Sequence, residues 1–217
     1  MIPLRDVIPS RTVPYVTITI IVLNALAWML ELSLSPRELR EFLYVYGVVP
    51  ADFHAPTLVT SMFLHGSWSH ILGNMWYLWI FGDNVEDQCG HGRFVVFYLL
   101  CGIAAALGQV VMSSDSMVPT IGASGAIAGV MGAYFVLYPQ SRVLTLIPIF
   151  WFQVVEVPAI VLLGFWFLMQ LVNAGALAAT TSHTGGVAFA AHVAGFLVGA
   201  GGVFIFRKRE RFERWDA

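Results

Sequence analysis

Four polar side chains stand in otherwise apolar stretches: His70, Asn74, Ser124 and His192. A serine hydroxyl is a weak nucleophile until a positioned base takes its proton. Neutral imidazole is the usual base near neutral pH. Acyl transfer also needs donors for the oxyanion. Asn74, His70 and the backbone amide of Ser124 are candidates for that role. Taken singly, each residue has a plainer reading. A Gly-x-Ser-Gly segment is common where helices touch, and a histidine or asparagine often bonds across helices. His65 and His70 are five apart and lack the His-Glu-x-x-His spacing of a metalloprotease, so no metal is expected. Cys89 and Cys101 are too few for a disulfide framework or a four-cysteine zinc site and read as packing residues.

The chain that must position these groups has 217 residues, 58% hydrophobic and 11% charged, with a net charge of −2. Soluble domains carry about 25% charged residues. The composition therefore excludes an ordinary soluble domain and a disordered chain, and the balanced charge gives no case for nucleic acid. It points to an all-α polytopic membrane protein, a single domain over residues 1–217, with room for six spans of roughly 20 residues each.

The expected spans are Val13–Leu30, Ser69–Phe81, Phe94–Met112, Ser124–Tyr138, Val157–Asn173 and Val187–Phe206. A cleaved signal peptide is the rival reading of the first run. Residues 32–68 are too charged and too amphipathic for a span and read as an interfacial first loop. Residues 143–156 are apolar but contain Pro148, and are expected to be re-entrant or interfacial. Residues 1–12 form a short polar N-terminal segment, and 207–217 a basic tail. With six spans both termini share one side. Placed inside, that side holds Arg5, Arg11, Arg93, Arg142 and the tail's five basic residues, leaving only Arg37 and Arg40 outside. Basic loops stay cytoplasmic, so both termini are expected there.

Depth links the four polar groups. Ser124 to Pro139 and His192 to Arg207 each span about 22 Å of helix, and His70 to Asp83 about 20 Å. All three run from outside to inside, so the groups share one height, roughly 8–10 Å below the outer edge of a core about 30 Å thick. Asn74 lies one turn deeper on the face of His70. Gly125, Gly129 and Gly132 form a small-residue stripe on one span. His192, Gly195, Gly199 and Gly202 share a face on another. Small faces let backbones meet closely in lipid, which makes a Ser124–His192 hydrogen bond plausible.

In these motifs the sequence resembles the rhomboid intramembrane serine proteases. The residues that carry the resemblance are His65-Gly66-Ser67-Trp68-Ser69-His70-Ile71-Leu72-Gly73-Asn74, then Gly122-Ala123-Ser124-Gly125, then Ala191-His192-Val193-Ala194-Gly195. Phe81-Gly82-Asp83-Asn84-Val85-Glu86 matches the family's end of the second span. The resemblance implies a six-span rhomboid-like bundle with Ser124 as nucleophile and His192 as base, then acid. Asn74, His70 and the Ser124 amide would form the oxyanion hole, with no metal or organic cofactor. The implied substrates are transmembrane helices of other membrane proteins in the bilayer, cleaved near their outer ends. Access would be lateral, between the second and fifth spans, with Phe165, Trp166 and Phe167 as gate residues. The glycine-containing loop Ser182–Gly186 would be a flexible cap.

One departure stands out. Many members carry an aromatic four residues after the serine, against the histidine. Here that position is Ala128, and no Asp or Glu is placed to orient His192. Phe189 and Trp166 are the bulky groups available instead. Two other readings compete: a non-proteolytic binder of client helices, and a small channel or transporter. Against the first, both serine and histidine are retained. Against the second, no charged pathway or inverted repeat is evident. A core without added domains suits a prokaryotic plasma membrane.

Overall fold

The computed structural model describes residues 1–149, 151–178 and 188–208. The expected cap Ser182–Gly186 and tail residues 209–217 lie outside them.

The chain begins with strand β1 (Ile2–Asp6), followed by helix α1 (Tyr15–Ser33). Helix α2 (Pro36–Tyr46) starts on a capping box in which Ser35 accepts from the Glu38 amide and Glu38 accepts from the Ser35 amide. Pro36 occupies its first turn, where a missing amide costs nothing. None of its residues is fully buried. A short helix α3 (Thr57–Thr60) leads to α4 (Trp68–Cys89), whose first turn is capped by the Ser67 hydroxyl accepting from the His70 amide. Gly90, at φ +80°, lets α5 (His91–Met112) begin at once.

Helix α6 (Ser124–Leu137) is the hub. Every residue from Gly125 to Tyr134 is buried. It packs against α5 and against α8 (Phe189–Phe206), with α4 and α7 (Ala159–Ala178) on its other sides. The packing is backbone to backbone. A Cβ on Gly195 would run into the Gly125 carbonyl, and one on Gly199 into that of Gly129. On α6, a Cβ on Gly125 would lie 2.5 Å from Ala105 Cβ, and one on Gly129 would strike Cys101. Cys89 and Cys101 are buried, unpaired thiols in this core.

Four helices are long and apolar enough to cross a membrane: Tyr15–Ser33, His91–Met112, Ala159–Leu177 and Phe189–Phe206. Helix α6 is apolar but shorter. Helix α4 gathers Asp83, Glu86 and Asp87 toward its end.

The expectation of an all-α chain needs correction: the described residues include a three-stranded antiparallel sheet. Strand β2 (Arg142–Ile149) pairs with β3 (Trp151–Pro158) and, on its other edge, with β1. The stretch expected to be re-entrant or interfacial is thus mostly a hairpin, and the N-terminal segment supplies its third strand. A short apolar run cannot be told from a buried helix by periodicity alone. The alternating burial of Val143 and Thr145 is the strand signal. The Trp76 indole N–H donates to the Pro3 carbonyl at 2.6 Å, and Tyr134 Oη donates to Asp6 at 2.7 Å. These bonds fix the sheet at the end of α6 remote from Ser124.

Candidate active site

Ser124 is the first residue of α6. At that position its amide has no partner within the helix, and the helix dipole favours negative charge beside it. The loop before α6 is held from two sides. Val48 and Thr120 exchange backbone hydrogen bonds of 3.0 and 2.7 Å, and the Gly122 amide donates to the Ser61 carbonyl at 2.9 Å. Gly122 has φ +122°, and a Cβ there would lie 2.6 Å from His70 Nε2. Glycine is therefore what lets this loop pass the His70 ring.

The close approach of α6 and α8 brings Ser124 Oγ to 2.8 Å from His192 Nε2. The other ring nitrogen, Nδ1, lies 2.9 Å from Gln170 Oε1 on α7. Trp166, one turn earlier on α7, places its ring 5.7 Å from the His192 ring at an angle of 36°. His192 is thus held on both nitrogens and covered on one face.

His70 and Asn74 line the same cavity as Ser124, His192 and Trp166. The cavity measures about 1270 Å³ and is bounded on the far side by Gln109 and Met112 of α5. Asn74 Nδ2 donates to His65 Nε2 at 2.9 Å. An amide nitrogen carries two hydrogens, so one stays free for the cavity. His70 Nδ1 receives a long bond, 3.5 Å, from the Gly66 amide, which leaves Nε2 as the protonated nitrogen. His65 is buried, and its amide donates to both carboxylate oxygens of Glu31, 3.2 Å each. Burial and the neighbouring His70 push the His65 imidazole down to about 4, so it is neutral near pH 7. No group of histidine, cysteine or acidic residues arranged to hold a metal is found among the described residues.

The three expected gate residues part company. Trp166 covers His192. Phe167 stacks on Phe196 of α8 with centroids 4.6 Å apart, and Phe165 is half exposed. His91 is the first residue of α5, at the end opposite Gln109 and Met112, and lies 2.6 Å from Glu86. His183 lies outside the described residues. Phe189 lines the cavity.

Three residues of this network were given no role in the site by the sequence reading: Gln170, His65 and Glu31. Gln170 could have been found. It is a polar residue inside the run Val157–Asn173 and lies four residues after Trp166, on the same face. Glu31 directly follows the first apolar run, Val13–Leu30. Nothing in the spacing linked it to position 65.

These features define a helical membrane protein with a serine and a histidine in contact inside a protein-walled cavity. The family model for the rhomboid domain matches residues 53–209, and the chain belongs to the rhomboid family. It is 30% identical over 196 residues to rhomboid-like protein 11, chloroplastic, of Arabidopsis thaliana, covering 87% of this chain and 64% of that one. It is 33% identical over 130 residues to the rhomboid protease GluP of Bacillus subtilis, covering 60% and 24%. With rhomboid protein 1, mitochondrial, of Saccharomyces cerevisiae, it shares 27% over 164 residues, covering 73% and 44%. The chain thus spans from about a quarter to just under two thirds of the length of these curated relatives. Chloroplast and mitochondrial proteins stand beside bacterial ones, so the likeness does not select a prokaryotic membrane.

Proposed function

We propose that this chain is an intramembrane serine endopeptidase that hydrolyses peptide bonds in or near the transmembrane helices of other membrane proteins. The observation that carries the reading is the 2.8 Å contact between Ser124 Oγ and His192 Nε2, set at the start of a helix inside a cavity. Two bacterial relatives support it by name, the rhomboid protease GluP and the putative rhomboid protease YdcA of Bacillus subtilis.

In the proposed reaction His192 Nε2 takes the Ser124 proton as Oγ attacks the substrate carbonyl carbon. The oxyanion meets the Ser124 amide, His70 Nε2–H and the free hydrogen of Asn74. His192 then gives its proton to the leaving amine. Water, activated by the same imidazole, hydrolyses the acyl-enzyme and restores Ser124. No metal or organic cofactor is needed.

The cavity supports this substrate class. A peptide bond within a helix is shielded, and unwinding it exposes backbone groups that lipid cannot satisfy. Polar cavity walls can satisfy them. Helices weakened by glycine or proline should therefore be cut most readily. Six crossings are proposed, by α1 and α4 to α8 without the sheet, with α2 at the membrane surface and both termini on the cytoplasmic side.

The test is cleavage of a reporter transmembrane helix in liposomes by the wild type, Ser124→Ala and His192→Ala. Both variants should lose cleavage at unchanged thermal stability. Cleavage surviving in Ser124→Ala overturns the mechanism. A wild type that cuts none of several helix-destabilised reporters favours a client-binding role.

A further inference from the structure

The imidazole of His192 must do more than touch Ser124. To accept the serine proton it must present a bare Nε2, so its own proton must sit on Nδ1. A proton there, on a ring only 8% exposed, needs an acceptor. The familiar solution is a carboxylate, which fixes the tautomer and the ring orientation. Among the described residues, the side-chain partners of His192 are the Ser124 hydroxyl and the Gln170 amide, not a carboxylate. An ionised one at this depth would be costly to bury.

We infer that Gln170 is the positioning residue of the site: its side-chain carbonyl accepts the Nδ1 proton of His192 and holds the imidazole in the tautomer that can activate Ser124. This rests on the protease reading above. The geometry consists of a single chain, Ser124 Oγ–H to Nε2 at 2.8 Å and Nδ1–H to Gln170 Oε1 at 2.9 Å. An amide supplies the acceptor oxygen without a charge.

Helix α7 completes the support. Trp166 and Gln170 are four residues apart, so they project from one face. The indole packs against the imidazole, tilted by 36°, and the amide bonds its edge. Together they restrict ring tilt and ring rotation. Ala128, on α6 one turn beyond Ser124, offers only a methyl group. The histidine is therefore oriented from α7, although it reacts with a serine on α6.

The experiment uses the full chain in liposomes and three variants: Gln170→Met, Gln170→Asn and Gln170→Glu. Methionine keeps the length and loses the acceptor. Asparagine keeps the amide but withdraws it by about 1.5 Å, one carbon–carbon bond. Glutamate keeps the oxygen in place. Three quantities are read: kcat and KM on the reporter helix, the rate at which a fluorophosphonate labels Ser124, and the thermal midpoint. In Gln170→Met and Gln170→Asn, kcat and labelling should fall together by about tenfold, the worth of one lost hydrogen bond, with KM unchanged. Gln170→Glu should recover most of both. Wild-type kcat and labelling in Gln170→Met and Gln170→Asn overturn the inference, as does a Gln170→Glu protein no better than Gln170→Met. A wild type that neither cleaves nor labels is a different failure, since it removes the protease reading itself.

Discussion

His65 shows what one buried residue contributes beside the reacting groups. It receives a hydrogen bond from Asn74 Nδ2, and its amide is anchored on Glu31 of α1. Asn74 is therefore oriented by a histidine that must stay neutral. Burial holds His65 down to about 4, against an ordinary value of 6.5. Between those values the unfolded chain binds a proton that the folded chain does not. Folding should weaken as pH falls from about 6.5 toward 4 and be insensitive to His65 above that range. Thermal midpoints of wild type and His65→Gln in detergent, taken across this range, provide the check. The wild type should lose more than the variant as pH drops, and parallel curves would exclude His65 as the cause. Ser124 and His192 were legible in the sequence because helix rise alone sets both at one depth. His65 was not, because a loop histidine carries no periodicity that would mark it as buried. Gln170 was harder to read, because a lone amide in an apolar run is equally what a simple bond across helices would leave.

At the scale of elements, the start of α1 is instructive. Pro14 precedes it, and no side chain of its own segment caps it. Glu86 does so from α4, accepting from the amides of Val16 and Thr17 at 2.9 and 2.8 Å and from the Thr17 hydroxyl at 2.8 Å. Next to it, Asp87 accepts from the amides of Arg11 and Thr12 and from the Thr12 hydroxyl. A carboxylate at a helix N-terminus satisfies orphan amides and matches the dipole. Removing it leaves buried donors unpaired, so Glu86→Ala should lower unfolding free energy by about 3 kcal/mol, measured by denaturant titration in detergent. Asp87→Ala, at a half-buried position, should cost less. Equal losses would mean that burial does not set the value of these caps. The apolar helices were legible because composition alone identifies membrane-crossing runs. The sheet was not, since the run Val143–Ile149 is uniformly apolar apart from Thr145, and its partner β1 lies more than a hundred residues earlier. Pairing at that separation leaves no local pattern.

At the scale of the whole molecule, length decides what each helix can do. The 22 residues of α4 extend about 33 Å, enough to cross a hydrocarbon core of about 30 Å. Its acidic residues lie near one end, where Glu86 and Asp87 already have partners in the N-terminal segment and α1. The 14 residues of α6 extend only about 21 Å and are wrapped by protein. In the proposed six-crossing arrangement a helix that short would start below the surface, which would leave room for a polar cavity above Ser124. If α1, α4 and α5 all cross, Ser10 and Ser114 lie on opposite sides of the membrane. If α4 does not cross, they share a side. Cys89 and Cys101 are each 1% exposed, so single cysteines placed at the two serines can be read without removing them. A membrane-impermeant maleimide should label Ser114→Cys from outside in sealed right-side-out vesicles. Ser10→Cys should label only after permeabilisation, because the proposed topology puts Arg5, Arg11, Arg93 and Arg142 on the same, cytoplasmic side as residue 10. Labelling of both from one side would leave an even number of crossings among α1, α4 and α5 and overturn the six-crossing arrangement.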